Sequence, residues 1–339
     1  MNRKLIFIAT FLPVLLLVFS CSSETYKMYE QEKILMGTLF KIKAYYNTKD
    51  FSRAQLDSIA ALSFAEVDRL EQDMSEWKPE SPISMAATFS GEKPVKITPE
   101  IREVVDMALA ISERTSGAFD ISFKPLGQLW NVKQRTVPPT KAEIDSAAKL
   151  VNFKNIVLQP DSLTLFLKQK GMRIGLGGIA KGYAAKKAGE VLENAGIENY
   201  ILNAGGDLYF SGSKNGTLWT SGIKDPDGES APVMTFEIRK KLGIATSGDY
   251  ENFFMYQGEK YHHIIDLRTG FPAKGLKSVT VFSEDPTLAD AYATAFFILG
   301  YKPALQIVKQ LPGLAFVMID TENQILKSPN VAEFISEFE

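Results

Sequence analysis

Between residues 200 and 282 one strand-like run follows another, at 200–202, 207–210, 218–223, 234–238, 242–245, 261–265 and 278–282, with no helical pattern between them. Parallel neighbours need a crossover of a dozen or more residues, usually a helix, so these runs are expected to pair largely antiparallel. Helical spacing returns at 288–299, closed by Gly300, and at 303–311; 314–319 and 324–326 read as a closing hairpin. The expected fold class is α+β, with largely antiparallel strands and packed helices. No linker divides the chain cleanly, so a single domain with two lobes is expected.

The first half supplies most of the helices. Phe40, Ile42 and Ala44 alternate with polar residues as a half-buried strand does. Ser52 with Gln55 forms a capping box ahead of Leu56, Ile59, Leu62, Val67, Leu70 and Met74. Thr98-Pro99 opens a second helix that Gly117 stops, and Thr140 with Glu143 caps a short third one. Residues 119–122 and 126–130 read as loop. A hairpin is expected from 156–158 against 163–167, then a strand at 172–176 and a helix over 180–195.

The amino terminus carries Arg3 and Lys4, an apolar run over 5–19, then Ser20-Cys21. That run is shorter than the roughly 20 residues of a spanning helix, and it resembles a bacterial lipoprotein signal cut before a lipid-bearing cysteine. Cys21 is the sole cysteine, which removes any disulfide framework. The expected division is a signal peptide at 1–20, a tether at 21–28 and one large domain at 29–339. A net charge of −2 and a pI near 5.9 argue against a nucleic-acid partner. Neither a Gly-x-Ser-x-Gly elbow nor a Walker lysine motif is present.

The stretch Gly175-Leu176-Gly177-Gly178-Ile179-Ala180-Lys181 has the composition of a phosphate-binding corner, or equally of a plain tight turn. Glycines permit positive φ and close approach, and a helix start offers free N–H groups. Its Gly175-x-Gly177-x-x-Ala180 spacing also fits a loose dinucleotide fingerprint, but the next strand ends at Asn203-Ala204 without the acidic residue that reading requires. Asp290 and Thr294 stand four apart on an alanine-rich helix and suit a hard cation, or else are an exposed acid and a back-bonded hydroxyl. His262 and His263 are the only histidines, and alternation sends one ring to each face of a strand. Thr246-Ser247-Gly248-Asp249-Tyr250 could grip phosphate or ribose, or form an ordinary turn. Trp77 and Tyr183 could stack on a flat ring or cover core.

Taken in order, these pieces are similar to the ApbE family, the FAD:protein FMN transferases, from about Tyr29 to near Leu326. The matching segments are Met36-Gly37-Thr38, Met74-Ser75, Ser116-Gly117-Ala118-Phe119-Asp120, Gly177 through Tyr183 and Gly205-Gly206-Asp207. Three more follow: 245–250, His263-Ile264-Ile265-Asp266 with Thr269-Gly270, and Ala289 through Thr294. The resemblance implies an enzyme of the bacterial envelope, facing the periplasm, that cleaves FAD, attaches FMN to a Thr or Ser hydroxyl of a partner protein and releases AMP. It implies magnesium held by Asp290, Thr294 and the main-chain oxygen of Ala180, with His263 and Lys181 as catalytic groups. It implies FAD contacts at Met36, Trp77, Asp120, Gly178, Lys181, Tyr183, Thr246, Ser247, Asp249 and His263. The family commonly has proline at the position of Leu267, and tyrosine at that of Trp77. An FAD pyrophosphatase and a lipid-anchored flavin-binding protein without turnover are the alternatives.

Overall fold

Apolar residues that alternate on both sides of a strand demand cover on both sides, and the central sheet of this chain obeys that requirement. The structure is a computed structural model and describes residues 26–159, 162–228 and 231–338; the expected signal peptide and Cys21 lie outside the described residues. β1 (Tyr26–Leu35) and β2 (Thr38–Asn47) form an antiparallel hairpin. Met36 and Gly37 close it at φ 51° and 71°. β1 begins inside the stretch read as a tether, with Tyr26 opposite Asn47 and Met28 opposite Tyr45. Its apolar alternation is masked by charges; Glu30 and Glu32 pair across the hairpin with Lys43 and Lys41.

α1 (Arg53–Met74) starts on the expected Ser52–Gln55 capping box. α2 (Pro82–Thr88) follows, capped by Ser81 with Pro82 in the tolerated first turn. After β3 (Val95–Lys96) comes α3 (Pro99–Arg114), capped by Thr98. A 3-10 turn, Ile121–Phe123, then leads into α4 (Lys124–Trp130), which occupies residues expected to be loop. α5 (Lys141–Ala148) carries the Thr140–Glu143 capping box, and β4 (Ile156–Gln159) pairs with β5 (Thr164–Leu167).

Residues 172–176 are not a strand. Met172, Ile174 and Leu176 are all buried, but the segment threads the core without a ladder partner, and Gly175 N–H donates to the Ile121 carbonyl at 2.8 Å. Burial on alternate positions mimicked a strand pattern here. α6 (Ala180–Asn194) follows, ending before Gly196 at φ 85°.

The strand-dense half contains β6 (Tyr200–Ala204), β7 (Asp207–Ser211), β8 (Thr220–Ile223), β9 (Met234–Ile238) and β10 (Leu242–Gly248). The expected strand at 261–265 is interrupted: β11 (Phe253–Tyr256) pairs with β12 (Glu259–His262), and β13 (Ile265–Asp266) pairs with β14 (Phe271–Pro272). His263 and Ile264 lie in the break. β15 (Leu276–Ser283) leads to α7 (Pro286–Leu299) and α8 (Tyr301–Gln310). β16 (Leu314–Asp320), β17 (Ile325–Lys327) and β18 (Ile335–Glu337) finish the chain.

The main sheet runs β1-β2-β6-β7-β10-β15-β16-β17, and every strand pairing among the described residues is antiparallel. In β16, Leu314, Phe316 and Met318 enter the large core with α1, α6 and α7, while Ala315, Val317 and Ile319 enter a second core. The second core is closed by the small sheet β18-β9-β8, which adds Trp219, Phe236 and Ile335. The period-2 rule therefore fills both layers from one strand. A satellite core, with Leu126, Trp130, Ile144, Phe254 and Ile265, ties α4 and α5 to the hairpin that precedes His263.

Candidate active site

The start of α6 is positioned by close approach rather than by unusual backbone angles. Gly175, Gly177, Gly178 and Gly182 are absent from the positive-φ residues, contrary to the expectation for a glycine turn. A Cβ on Gly175 would meet the Glu76 carboxylate at 2.2 Å, and one on Gly182 would meet the Pro286 carbonyl oxygen at 2.2 Å. Glycine at 182 thus lets α6 cross the first turn of α7. That crossing brings Gly182 N–H to Asp290 Oδ2 at 3.0 Å. Asp290 and Thr294 share one face of α7, and Thr294 Oγ1 lies 3.3 Å from Ser247 Oγ on β10. Thr246, next along β10, bonds Thr280 Oγ1 at 2.8 Å.

Asp290, Thr294, Ser247 and Thr246 line a cleft of about 450 Å³, together with Asp207, Lys181 and Gly178. Lys181 Nζ donates to Asp207 and lies 3.4 Å from Asp290 Oδ1. Burial alone would lower the Lys181 pKa, but Asp207 and Asp290 more than reverse this and raise it. Burial pushes the Asp290 carboxyl up, opposed by the Lys181 charge. Apolar side chains share the lining, with Phe119, Ile121, Phe123, Val132, Ile264, Leu267 and Ile298. Asp120 also lines the cleft and accepts from Ser122 N–H, Ser122 Oγ and Phe153 N–H at 2.7, 2.7 and 2.9 Å. Burial still raises its pKa, against those three bonds.

The two histidines part as expected, although the strand stops between them: His262 ends β12 and His263 lies in the break that follows. His262 is buried, its ring edge-on to Phe297 with centroids 5.5 Å apart. Its Nε2 donates to the Ala273 carbonyl at 2.8 Å, and its Nδ1 accepts from Ile264 N–H at 3.3 Å. The carbonyl can only accept and the amide N–H can only donate, so Nε2 carries the proton, Nδ1 carries none, and the ring is neutral. His263 lies on the cleft wall beside Asn252 and Glu251. Burial within the cleft, then the neighbouring His262, lower its pKa to about 4. With its pKa held below neutrality, the imidazole is neutral at pH 7 and able to accept a proton.

Asp120, Gly178, Lys181, Thr246, Ser247, His263, Asp290 and Thr294 are therefore brought together in one cleft. Ala180 is the first residue of α6, directly before Lys181. Four expected ligand contacts lie elsewhere. Tyr183 is fully buried with its hydroxyl on Glu103 at 2.7 Å, so it has no free face to stack. Trp77 is 75% exposed beside a separate cavity, with Lys124 Nζ 3.6 Å from its ring centroid. Asp249 turns away to Lys260 at 3.1 Å, and Met36 N–H donates to Glu71. Sequence reasoning passed over Glu76, Lys133, Glu251 and Asn252, which do line the cleft. Glu76 and Glu251 each sit next to a residue singled out, beside Trp77 and Tyr250, but nothing in the spacing of the four marks them.

The donor set suits a hard cation. Among the described residues no group of three or more His, Cys, Asp or Glu side chains forms a metal cluster. The oxygens here are instead one or two carboxylates and the Thr294 and Ser247 hydroxyls, with the Lys181 ammonium standing between Asp207 and Asp290 where positive charge is favoured. Magnesium typically binds through one or two carboxylates and completes its shell with water and phosphate.

A Thermotoga maritima ApbE protein of known structure superposes with a TM-score of 0.80 at 31% identity, covering 92% of this chain and all of that one. The flavin transferase ApbE from Vibrio cholerae gives a TM-score of 0.81 over 91% of this chain at 24% identity, a likeness of fold. Among curated proteins, the FAD:protein FMN transferase of Treponema pallidum is 29% identical over 324 residues, covering 90% of this chain and 88% of that protein. The Escherichia coli K12 protein of the same name is 29% identical over 304 residues, covering 84% and 86%. With residues 36–318 matched by the model of the ApbE family, the chain belongs to that family.

Proposed function

We propose that this chain is an FAD:protein FMN transferase that uses magnesium, and that the cleft between α6, α7 and β10 is where FAD is cleaved. The observation that carries this reading is the oxygen cluster of Asp290, Thr294 and Ser247 beside Lys181, in a cleft that is also lined by apolar side chains. A dinucleotide needs both: charge for its pyrophosphate and apolar walls for a flat ring.

In the reaction, a Thr or Ser hydroxyl of the acceptor protein attacks the phosphorus of the FMN half. A new P–O bond forms, the pyrophosphate P–O bond to AMP breaks, and AMP leaves with the bridging oxygen. His263, neutral at pH 7, takes the hydroxyl proton or orients the hydroxyl. Lys181 lies against the pyrophosphate and offsets its charge. Asp290, Thr294 and the Ala180 carbonyl would hold magnesium, which supplies further neutralisation of the phosphate oxygens. Residues 1–20 act as a lipoprotein signal, Cys21 carries the lipid, and the enzyme works at the envelope on the periplasmic side.

Incubation with FAD, magnesium and an acceptor domain tests the reading. AMP with a fluorescent acceptor identifies the transferase. AMP with free FMN identifies a pyrophosphatase, and absence of AMP leaves only a flavin binder.

A further inference from the structure

Lys181 holds a place that a metal would contest. Its ammonium contacts two carboxylates unequally: Asp207 is the close partner, and Asp290 Oδ1 is 3.4 Å away. The other Asp290 oxygen is committed to Gly182 N–H. Oδ1 is thus the one oxygen of Asp290 held only by a long contact, and it faces the cleft. Asp207 comes from the first residue of β7 and Asp290 from α7, so Lys181 can leave one without the other moving. An ammonium and a divalent ion cannot both sit on one carboxylate oxygen, because like charges at that separation repel strongly in an enclosed site.

We propose that Lys181 is a resident counter-ion which a divalent metal displaces from Asp290 Oδ1, and that Asp207 is a positioning residue that keeps the displaced ammonium in the cleft. This rests on the magnesium reading above. Asp207 prevents the ammonium from swinging into solvent, and the pyrophosphate of FAD then offers it a second anionic partner. Metal and FAD consequently favour each other's binding through Lys181, in addition to any direct metal–phosphate bond.

The test uses Mn²⁺ as the probe, with free Mn²⁺ read by electron paramagnetic resonance on the full chain, first without FAD. Lys181→Met should bind Mn²⁺ about tenfold or more tighter than the wild type, a typical size for a lost coupling. Lys181→Arg keeps the charge and should stay near the wild-type value. Asp207→Asn should weaken binding, because the ammonium falls back onto Asp290. Merely structural roles would weaken binding in both the Met and Asn variants, so opposite signs are the signature. A folded Lys181→Met protein, checked by circular dichroism, that binds Mn²⁺ no tighter than the wild type overturns the exchange and leaves the magnesium reading intact. Failure of every protein, wild type included, to take up Mn²⁺ with or without FAD would remove both.

Discussion

Asp290 uses one oxygen to fix the crossing of α6 over α7 and presents the other to the cleft. Asp290→Asn keeps an oxygen for Gly182 N–H but removes the charge, so it should abolish AMP release at ordinary magnesium levels without unfolding the protein. Thr294→Ala should weaken release and be partly rescued by more magnesium; circular dichroism and an FAD-cleavage titration against magnesium check both. His263→Ala should slow transfer on the order of 10²-fold while FAD binding changes little. His262→Ala should instead cost stability, since it leaves the buried Ala273 carbonyl and Ile264 N–H without their partner. The pH sign follows from burial, which depresses both histidine pKa values. Below the unfolded value of about 6.5 the unfolded chain binds more protons, so this stability is present above that pH and fades as pH falls towards the folded values. Urea titrations at pH 7 and pH 5 should show a smaller difference for His262→Gln than for the wild type. At this scale the sequence was legible where a residue type leaves few options: an acid and a hydroxyl four apart, two histidines side by side. It was opaque for Tyr183 and Trp77, because a ring suits a ligand or a core equally well.

Helix α7 enters between α6 and β10, and two glycines make room for it. A Cβ at Gly182 would strike the Pro286 carbonyl at 2.2 Å, and one at Gly243 would strike Pro286 Cα at 2.4 Å. Both obstacles are backbone, so a helix has to move. Gly182→Ala should destabilise by about 1–3 kcal/mol despite the better helix propensity of alanine. It should also shift the N–H from Asp290 and weaken FAD cleavage. Gly178→Ala is the contrast: its Cβ would make ordinary 3.5 Å contacts with Phe119 and Thr294, so urea melts should scarcely change. Element boundaries were readable wherever a cap announced them, as at Ser52, Thr98 and Thr140. α4 has no side-chain N-cap and contains Pro125 and Gly127, so it read as loop. Residues 172–176 show the opposite error, since alternation reports burial and says nothing about hydrogen-bond partners.

The antiparallel plan was legible at the scale of the whole molecule, because closely spaced strands leave no length for crossovers. The order of the sheet was not, since the insertion of β6 between β2 and β7 depends on contacts far apart in sequence. The same sheet gives the proposed lipid anchor a physical meaning. Cys21→Ser should release the protein from membranes while FAD cleavage persists, and an unchanged membrane fraction would count against the lipid. Because β1 is already paired at Tyr26, only five peptide steps separate Cys21 from the sheet, a reach of at most about 17 Å. With the proposed lipid on Cys21, a leash that short would keep the Tyr26 end of β1 close to the bilayer surface, and the domain's own size plus that reach would set the height of the cleft. Acceptor sites carried high above the surface would be out of range, whereas those near the surface would meet the enzyme as a two-dimensional reactant. Inserting about twenty Gly-Ser residues after Ser23 should therefore extend flavinylation to acceptors on tall stalks and leave cleavage of free FAD unaltered.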